Sequence, residues 1–417
     1  MVEAVTTDFD AAVAECERHP PRLVDGEIEF HPAYHEAGRI VWASGVVGAP
    51  AREQASLFYR LAQAGEGGHA CPVVCTAGLV RALRTRASEE LRSRFLPPLL
   101  ETDYERAQRG AQFLTERHGG SDVGANRVEA VPDGDGWRLH GEKWFCSVAD
   151  ANQFLVTARP RGAPHGTRGI ACFLVPRSGG GFRIRRLKDK LGTRALATGE
   201  IEFDGAPAFA LGPLDEGFRT AVSVLNTSRW LNAVGSAGLM QRAYLEARAF
   251  AQEREAFGGP IDRFPLVREN LAVMKSEAAA ALASTLHLTE LVGRIDDGSA
   301  TEQDVAWHRI LVNANKFVTS LAATAMCRRG IETLGGNGTI EDFSPLPRLY
   351  RDAIVFESWE GTHNVLCAQV LRDLVKLDAV DLVLERVGGE APAGLEPRLR
   401  RSVADADYGA LYVRRQL

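Results

Sequence analysis

From about Ser228 to Leu377 the chain carries four long stretches in helical register, and no other feature restricts its fold as much. The first runs from about Ser228 to Arg254, with Trp230, Leu231, Val234, Ala237, Met240 and Tyr244 at three- and four-residue spacings. The second runs from about Pro265 to Asp296. The third begins at Thr301, where Thr-Glu-Gln-Asp has the form of a capping box, and stops before Gly335. The fourth runs from about Thr362 to Leu377. Helices this long must bury their apolar sides against one another, so an antiparallel four-helix bundle is predicted over residues 213–387.

The preceding residues change character once more. Residues 1–112 read as a helical domain, with helices expected over Gln54–Ala64 and Ser88–Leu100. Residues 113–212 read as a β domain. Phe154-Leu-Val, Ile170–Val175 and Ile201-Glu-Phe are short runs rich in β-branched or aromatic residues. Turn clusters at Pro132–Gly136, Arg161–Gly166 and Ser178–Gly181 punctuate them. Residues 388–417, Gly- and Pro-rich up to Pro397, read as a loosely packed tail. The predicted class is α+β, mostly α: helical domain, β-barrel or sandwich, four-helix bundle.

Such an architecture needs a soluble globular composition, and 45% hydrophobic with 25% charged residues supplies it. The net charge of −5 argues against a broad nucleic-acid-binding surface. No apolar run approaching the ~20 residues of a membrane span is read from the sequence. The acidic N-terminal decapeptide lacks a signal-peptide apolar region, so a cytoplasmic location is expected. Seven scattered cysteines, Cys16, Cys71, Cys75, Cys146, Cys172, Cys327 and Cys367, suggest reduced thiols. Cys71 and Cys75 share one helix face and have only His69 nearby, so packing is expected rather than a metal. His31 and His35 read as packing or hydrogen-bonding residues, and no metal site is expected.

Three segments carry chemistry. In Phe113–Asp122, Thr115 and Ser121 offer hydroxyls, and Gly119-Gly120 lets backbone amides approach a ligand closely. In Lys143-Trp-Phe-Cys-Ser147 the aromatics suit a planar ring and Ser147 suits its edge. In Trp359-Glu-Gly-Thr362, Glu360 has no evident cationic neighbour in sequence and lies close to Phe356 and Trp359. An apolar setting raises a carboxylate's pKa, which suits a general base.

In order along the chain stand Leu114-Thr-Glu116 through Gly-Gly-Ser-Asp122, then Lys143–Ser147 and Lys190-Leu-Gly-Thr-Arg194. Arg254-Glu-Ala-Phe-Gly258, Leu334-Gly-Gly-Asn-Gly338, Arg351-Asp-Ala353 and Trp359–Thr362 follow. On these motifs the chain resembles the acyl-CoA dehydrogenase family over nearly its whole length. His31-Pro-Ala-Tyr-His35 and Gly119–Val123 place it nearest to the AidB-like, alkylation-response branch.

The resemblance implies FAD between the β domain and the bundle, in a homotetramer built as a dimer of dimers. Gln112, Leu114, Thr115, Gly120 and Ser121 would line the flavin, with Phe145, Cys146 and Ser147 at its ring. Arg254 and Phe257 would reach a neighbouring subunit's FAD, Arg254 through a bidentate phosphate contact. Glu332, Gly335 and Gly336 would meet the adenosine end, and Thr362 and Asn364 the flavin. Glu360 would take the α-proton of an acyl thioester while flavin N5 accepts the β-hydride. Ser121, Arg229 and Gly361 would contact the substrate, and an electron-transfer flavoprotein would accept the electrons.

Two positions depart from the family pattern. Pro265 stands where a polar residue is usual, and Asn226 replaces the Asp that accompanies Arg229, which makes ordinary fatty acyl-CoA binding less expected. Arg398, Arg400, Arg401, Arg414 and Arg415 give the C-terminal segment a basic element, yet acids accompany them, so nucleic acid is not an expected partner. The competing readings are a flavin oxidase, including a nitroalkane-type one, and a non-catalytic DNA-associated flavoprotein.

Overall fold

The computed structural model describes residues 7–388 and 392–405. They fall into two units. The first takes the described residues up to Ala49 together with Arg60–Ser228. The second takes Pro50–Tyr59 with the described residues from Arg229 on.

The first unit opens with helix α1 (Thr7–Arg18), the hairpin β1 (Arg22–Val24) and β2 (Glu27–Glu29), and helix α2 (Pro32–Ala43). His31 caps α2, its Nδ1 accepting the Ala33 amide at 3.3 Å, and His35 bonds the Tyr104 hydroxyl at 3.0 Å. Helix α3 (Ala51–Ala62) has its first nine residues in the second unit. Helix α4 (Ala70–Arg86) has thirteen buried residues on all sides, which leaves no amphipathic stripe for sequence reading to find. Cys71 and Cys75 lie along it, sulfurs 3.7 Å apart. The helix expected over Ser88–Leu100 is divided. Helix α5 (Glu89–Phe95), capped by Ser88, gives way to a 3₁₀ turn at Pro97–Leu99, because Pro97 and Pro98 cannot continue the amide ladder.

The β region comprises β3 (Gly110–Phe113), β4 (Glu129–Asp133), β5 (Gly136–Ser147), β6 (Gln153–Pro160), β7 (Ala171–Pro176), β8 (Phe182–Leu187) and β9 (Thr198–Ala210). Strands pair in the order β6-β4-β5-β9-β7, and β7 pairs back onto β6, closing the ring. β3 adds to β6 and β8 to β9. Closure removes the open edges that a sheet of this size would otherwise expose. β6 and β7 are almost wholly buried, so they read as continuous apolar runs rather than alternating ones.

The second unit is helical. Helix α6 (Gly217–Glu253) starts eleven residues before the expected Ser228, and its residues from Arg229 belong here. A hairpin of β10 (Glu255–Ala256) and β11 (Gly259–Pro260) follows. Then come α7 (Pro265–Asp296), α8 (Glu302–Leu334), α9 (Leu346–Ser358), α10 (His363–Lys376), α11 (Val380–Val387) and α12 (Leu395–Ala404). Thr301 and Asp304 form the reciprocal capping box of α8. α9 was not anticipated from sequence.

α8 corrects the expectation about apolar length. By length and composition it is long and apolar enough to cross a membrane, and 61% of its most apolar window is buried inside the protein. Its buried face includes Asn313, Asn315, Lys316, Thr319 and Ser320, as suits a bundle helix. The stretch read as a loose tail also differs. α12 begins at Leu395, within it, and Leu399 packs with Leu291, Trp307, Leu366 and Leu374. Arg414 and Arg415 lie outside the described residues.

Candidate active site

The turn between α9 and α10 carries Glu360. α9 stops at Ser358, Trp359 is extended, and Glu360 and Gly361 both adopt positive φ, 52° and 106°, before Thr362 opens α10. A non-glycine residue held left-handed costs of order 1–3 kcal/mol and persists only where its surroundings impose it. Here they do. Arg229 Nε, from α6, donates to the Glu360 carbonyl at 2.9 Å. Lys316 Nζ, from α8, donates to the carbonyls of Glu357 at 2.9 Å and Gly361 at 3.1 Å. Asn232 donates to the Phe356 carbonyl at 3.1 Å, and the Phe356 and Trp359 rings stack at 4.7 Å. A Cβ on Gly361 would stand 3.4 Å from the Arg229 guanidinium.

Glu360 is partly exposed yet densely enclosed, and burial pushes its carboxyl up to about 7 against the lowering effect of Lys316 and Arg229. Burial pulls Lys316 down to about 8, opposed by Glu360. It pulls Arg229 down to about 10, again opposed by Glu360. Glu360 has no evident cationic neighbour in sequence, and folding brings it two buried cations from 131 and 44 positions away. The only local sign was a lysine amid the small and apolar residues of α8. Arg229 is 6% exposed and its Nε is committed to the Glu360 carbonyl.

In the first unit the structure gathers the flavin-contact candidates around β3 and β5. The register of β5 against β9 slips between Lys143 and Cys146. This bulge turns both residues inward and leaves Trp144 and Phe145 outside, Phe145 with 54% of its surface exposed. Lys143 Nζ reaches Glu116 Oε1 at 2.7 Å, the Leu114 carbonyl at 3.0 Å and Thr157 Oγ1 at 3.2 Å. Glu116 also accepts the amides of Arg127 and Val128, so the segment after β3 is fixed from inside. Ser147 Oγ lies 3.2 Å from Thr198 Oγ1, which accepts from Lys190 Nζ at 2.9 Å. Lys188 Nζ sits 3.6 Å from the Trp144 ring centre and 4.8 Å from that of Phe145.

Thr115 is half-buried, and Gly120 and Ser121 are exposed. The turn before them is tight: a Cβ on Gly119 would meet Asn126 Oδ1 at 2.4 Å, so only glycine fits. An open aromatic face beside a hydroxyl pair suits a planar heteroaromatic group with polar edges, so these residues fit the flavin ring system. Two assignments need adjusting. The Cys146 thiol is fully buried and burial drives its pKa far up, leaving only its backbone to face a cofactor. The Gln112 amide is turned inward, donating to the Cys75 carbonyl and accepting from Ser228.

In the second unit Arg254 and Phe257 mark the β10–β11 hairpin. Phe257 is left-handed (φ 51°) and 98% exposed. Glu332, Gly335 and Gly336 lie exposed around the end of α8, with open space where a Cβ would project from either glycine. Thr362 and Asn364 are exposed at the start of α10. Asn226 falls in the first unit, on α6. The nearest approach to a metal-ligand set among the described residues is Glu15, His19 and His31, ligand atoms within 4.8 Å, which sequence spacing did not reveal. There the His19 and His31 rings stack at 4.6 Å and His31 Nδ1 is already engaged as a cap.

Comparison with known proteins fits this geometry. Residues 215–375 match the family model "Acyl-CoA dehydrogenase, C-terminal domain", 111–206 the "middle domain", and 17–106 the "Adaptive response protein AidB N-terminal domain". The AidB protein of Escherichia coli (strain K12) is 33% identical over 86% of this chain and 69% of its own length. The apo form of Bd2924 superposes with a TM-score of 0.93 at 31% identity, covering 98% of this chain and 87% of that one. Caenorhabditis elegans ACDH-11 in complex with C11-CoA superposes with a TM-score of 0.86 at 29% identity, covering 99% and 75%. The chain belongs to the acyl-CoA dehydrogenase family of FAD-dependent oxidoreductases.

Proposed function

We propose that this enzyme desaturates an acyl thioester between its α and β carbons, with Glu360 as the base that removes the α-proton. The observation that carries this reading is the Glu360 turn: a carboxylate on a strained, cation-held backbone whose proton affinity lies near neutrality. Such a group is largely ionised at mildly alkaline pH and still basic enough to take a weakly acidic proton. The α-proton becomes acidic when the thioester carbonyl is polarised, for which the Glu360 backbone amide is the proposed donor. Ser147, Thr115, Ser121 and Phe145 would hold the flavin ring and Arg254 the pyrophosphate of a partner subunit's FAD, with Thr362 and Asn364 the flavin-contact candidates of the second unit. FAD, when bound, supplies the two-electron acceptor for the β-hydrogen. Electrons would then pass to an electron-transfer flavoprotein, and the enzyme would work as a homotetramer in the cytoplasm.

The C11-CoA bound by C. elegans ACDH-11 supports trying CoA thioesters first. The test is anaerobic titration of the FAD-loaded enzyme with acyl-CoAs of graded length and branching. Bleaching of the flavin band by a saturated thioester, with formation of the 2-enoyl product, is expected. No bleaching by any member of the panel would overturn the reading, and peroxide release in air would point to the oxidase instead.

A further inference from the structure

Lys316 is fully buried in the middle of α8 and is not among the residues that the family motifs single out. Its ammonium donates to the carbonyls of Glu357 and Gly361, which bracket Glu360 on both sides. We propose that Lys316 is a positioning residue for the base: its two hydrogen bonds hold the left-handed Glu360 turn, and its charge sets the proton affinity of the Glu360 carboxylate. This rests on Glu360 being the base.

The surrounding charges single out Lys316. α6 contributes Arg229, whose Nε is on the Glu360 carbonyl and which also feels Asp373 of α10. α9 contributes Glu357, whose Oε1 accepts from Thr324 and whose Oε2 lies 3.6 Å from His363 Nε2. Glu357 is therefore already engaged, and the charges acting on Glu360 are those of Lys316 and Arg229. Held on the two carbonyls that bracket Glu360, the Lys316 ammonium acts on the carboxyl against the rise that burial imposes, and an opposite charge nearby favours the ionised form. Without it, Glu360 holds its proton through the pH range in which it has to accept one.

The test separates the clamp from the charge. Lys316→Gln keeps a donor for the carbonyls and loses the charge; Lys316→Met loses both; Lys316→Arg restores the charge. Each FAD-loaded protein is titrated by infrared difference spectroscopy, with Glu360→Gln as the reference that isolates the Glu360 carboxyl band. The Glu360 midpoint is expected near pH 7 in wild type, about one pH unit or more higher in the Gln and Met variants (about tenfold tighter proton binding), and back toward wild type in the Arg variant. An unchanged midpoint in the Gln and Met variants would overturn the proposal. Where a thioester reduces the flavin, the limiting rate at high pH should recover in the Gln variant and stay at least about tenfold lower in the Met variant. Equal limiting rates would remove the clamp. The infrared midpoints need no turnover, so they decide on Lys316 even if no thioester reduces the wild-type flavin and the dehydrogenase reading itself fails.

Discussion

Lys143 and Lys316 are both fully buried, and each ties down backbone in a segment that carries candidate site residues, Lys143 through one carbonyl and Lys316 through two. They differ in what neutralises them. Lys143 sits 2.7 Å from Glu116, whose oxygens also take two backbone amides, so the pair is closed on itself. Lys316 gives its hydrogen bonds to backbone carbonyls, and the carboxylates of Glu360 and Glu357 act on it only through space. A clamp with its own counter-ion fixes structure and does nothing more. A clamp without one leaves a charge over for a neighbouring base. The first suits the wall of a cofactor site, which must stay still, and the second suits a group that must change its protonation in every cycle.

The comparison breaks most visibly at Lys143. Lys143→Met leaves Glu116 buried without its cation, and opening such a pair typically costs about 3–5 kcal/mol. Denaturant unfolding should show that loss, and Lys143→Met combined with Glu116→Gln should recover part of it. A loss below about 1 kcal/mol would mean that the pair is not structural. A smaller effect is expected at Ser147. Its hydroxyl partner Thr198 also accepts from Lys190, so Ser147→Ala strands no buried group and should change stability by about 1 kcal/mol or less. The bound flavin's spectrum or reduction potential should shift instead. A spectrum and potential identical to wild type would remove Ser147 from the flavin wall.

The sequence carried much of this, but unevenly. α10 was legible because it is amphipathic, and α7 and α8 because Pro265, Thr301 and Gly335 mark their ends. The capping box at Thr301 was legible as a four-residue word. α4 was not, since a helix buried all round shows no period, and neither was ring closure by β7 on β6, which depends on a pairing no local pattern records. Glu360 was legible from its motif and its aromatic neighbours. Its cations were not, because Arg229 and Lys316 arrive from distant helices and only folding places them on its turn. The inward turn of the Cys146 thiol was not legible for a related reason: the bulge that sets Lys143 and Cys146 on the same side shows only in the register.

The most direct test is the rate of flavin reduction by an active thioester, followed by stopped flow across pH in wild type and Glu360→Gln. Only the ionised carboxylate can accept the α-proton, and burial holds its pKa at about 7. The wild-type rate should therefore rise with pH through about 7 and level off above it. A general base contributes about 10²–10⁴-fold, so the Gln variant should be slower by that factor, roughly 3–5 kcal/mol of barrier, with no such rise and with FAD still bound. A Glu360→Gln enzyme that reduces its flavin at the wild-type rate, or a wild-type rate flat through neutrality, would contradict the assignment of Glu360 as the base.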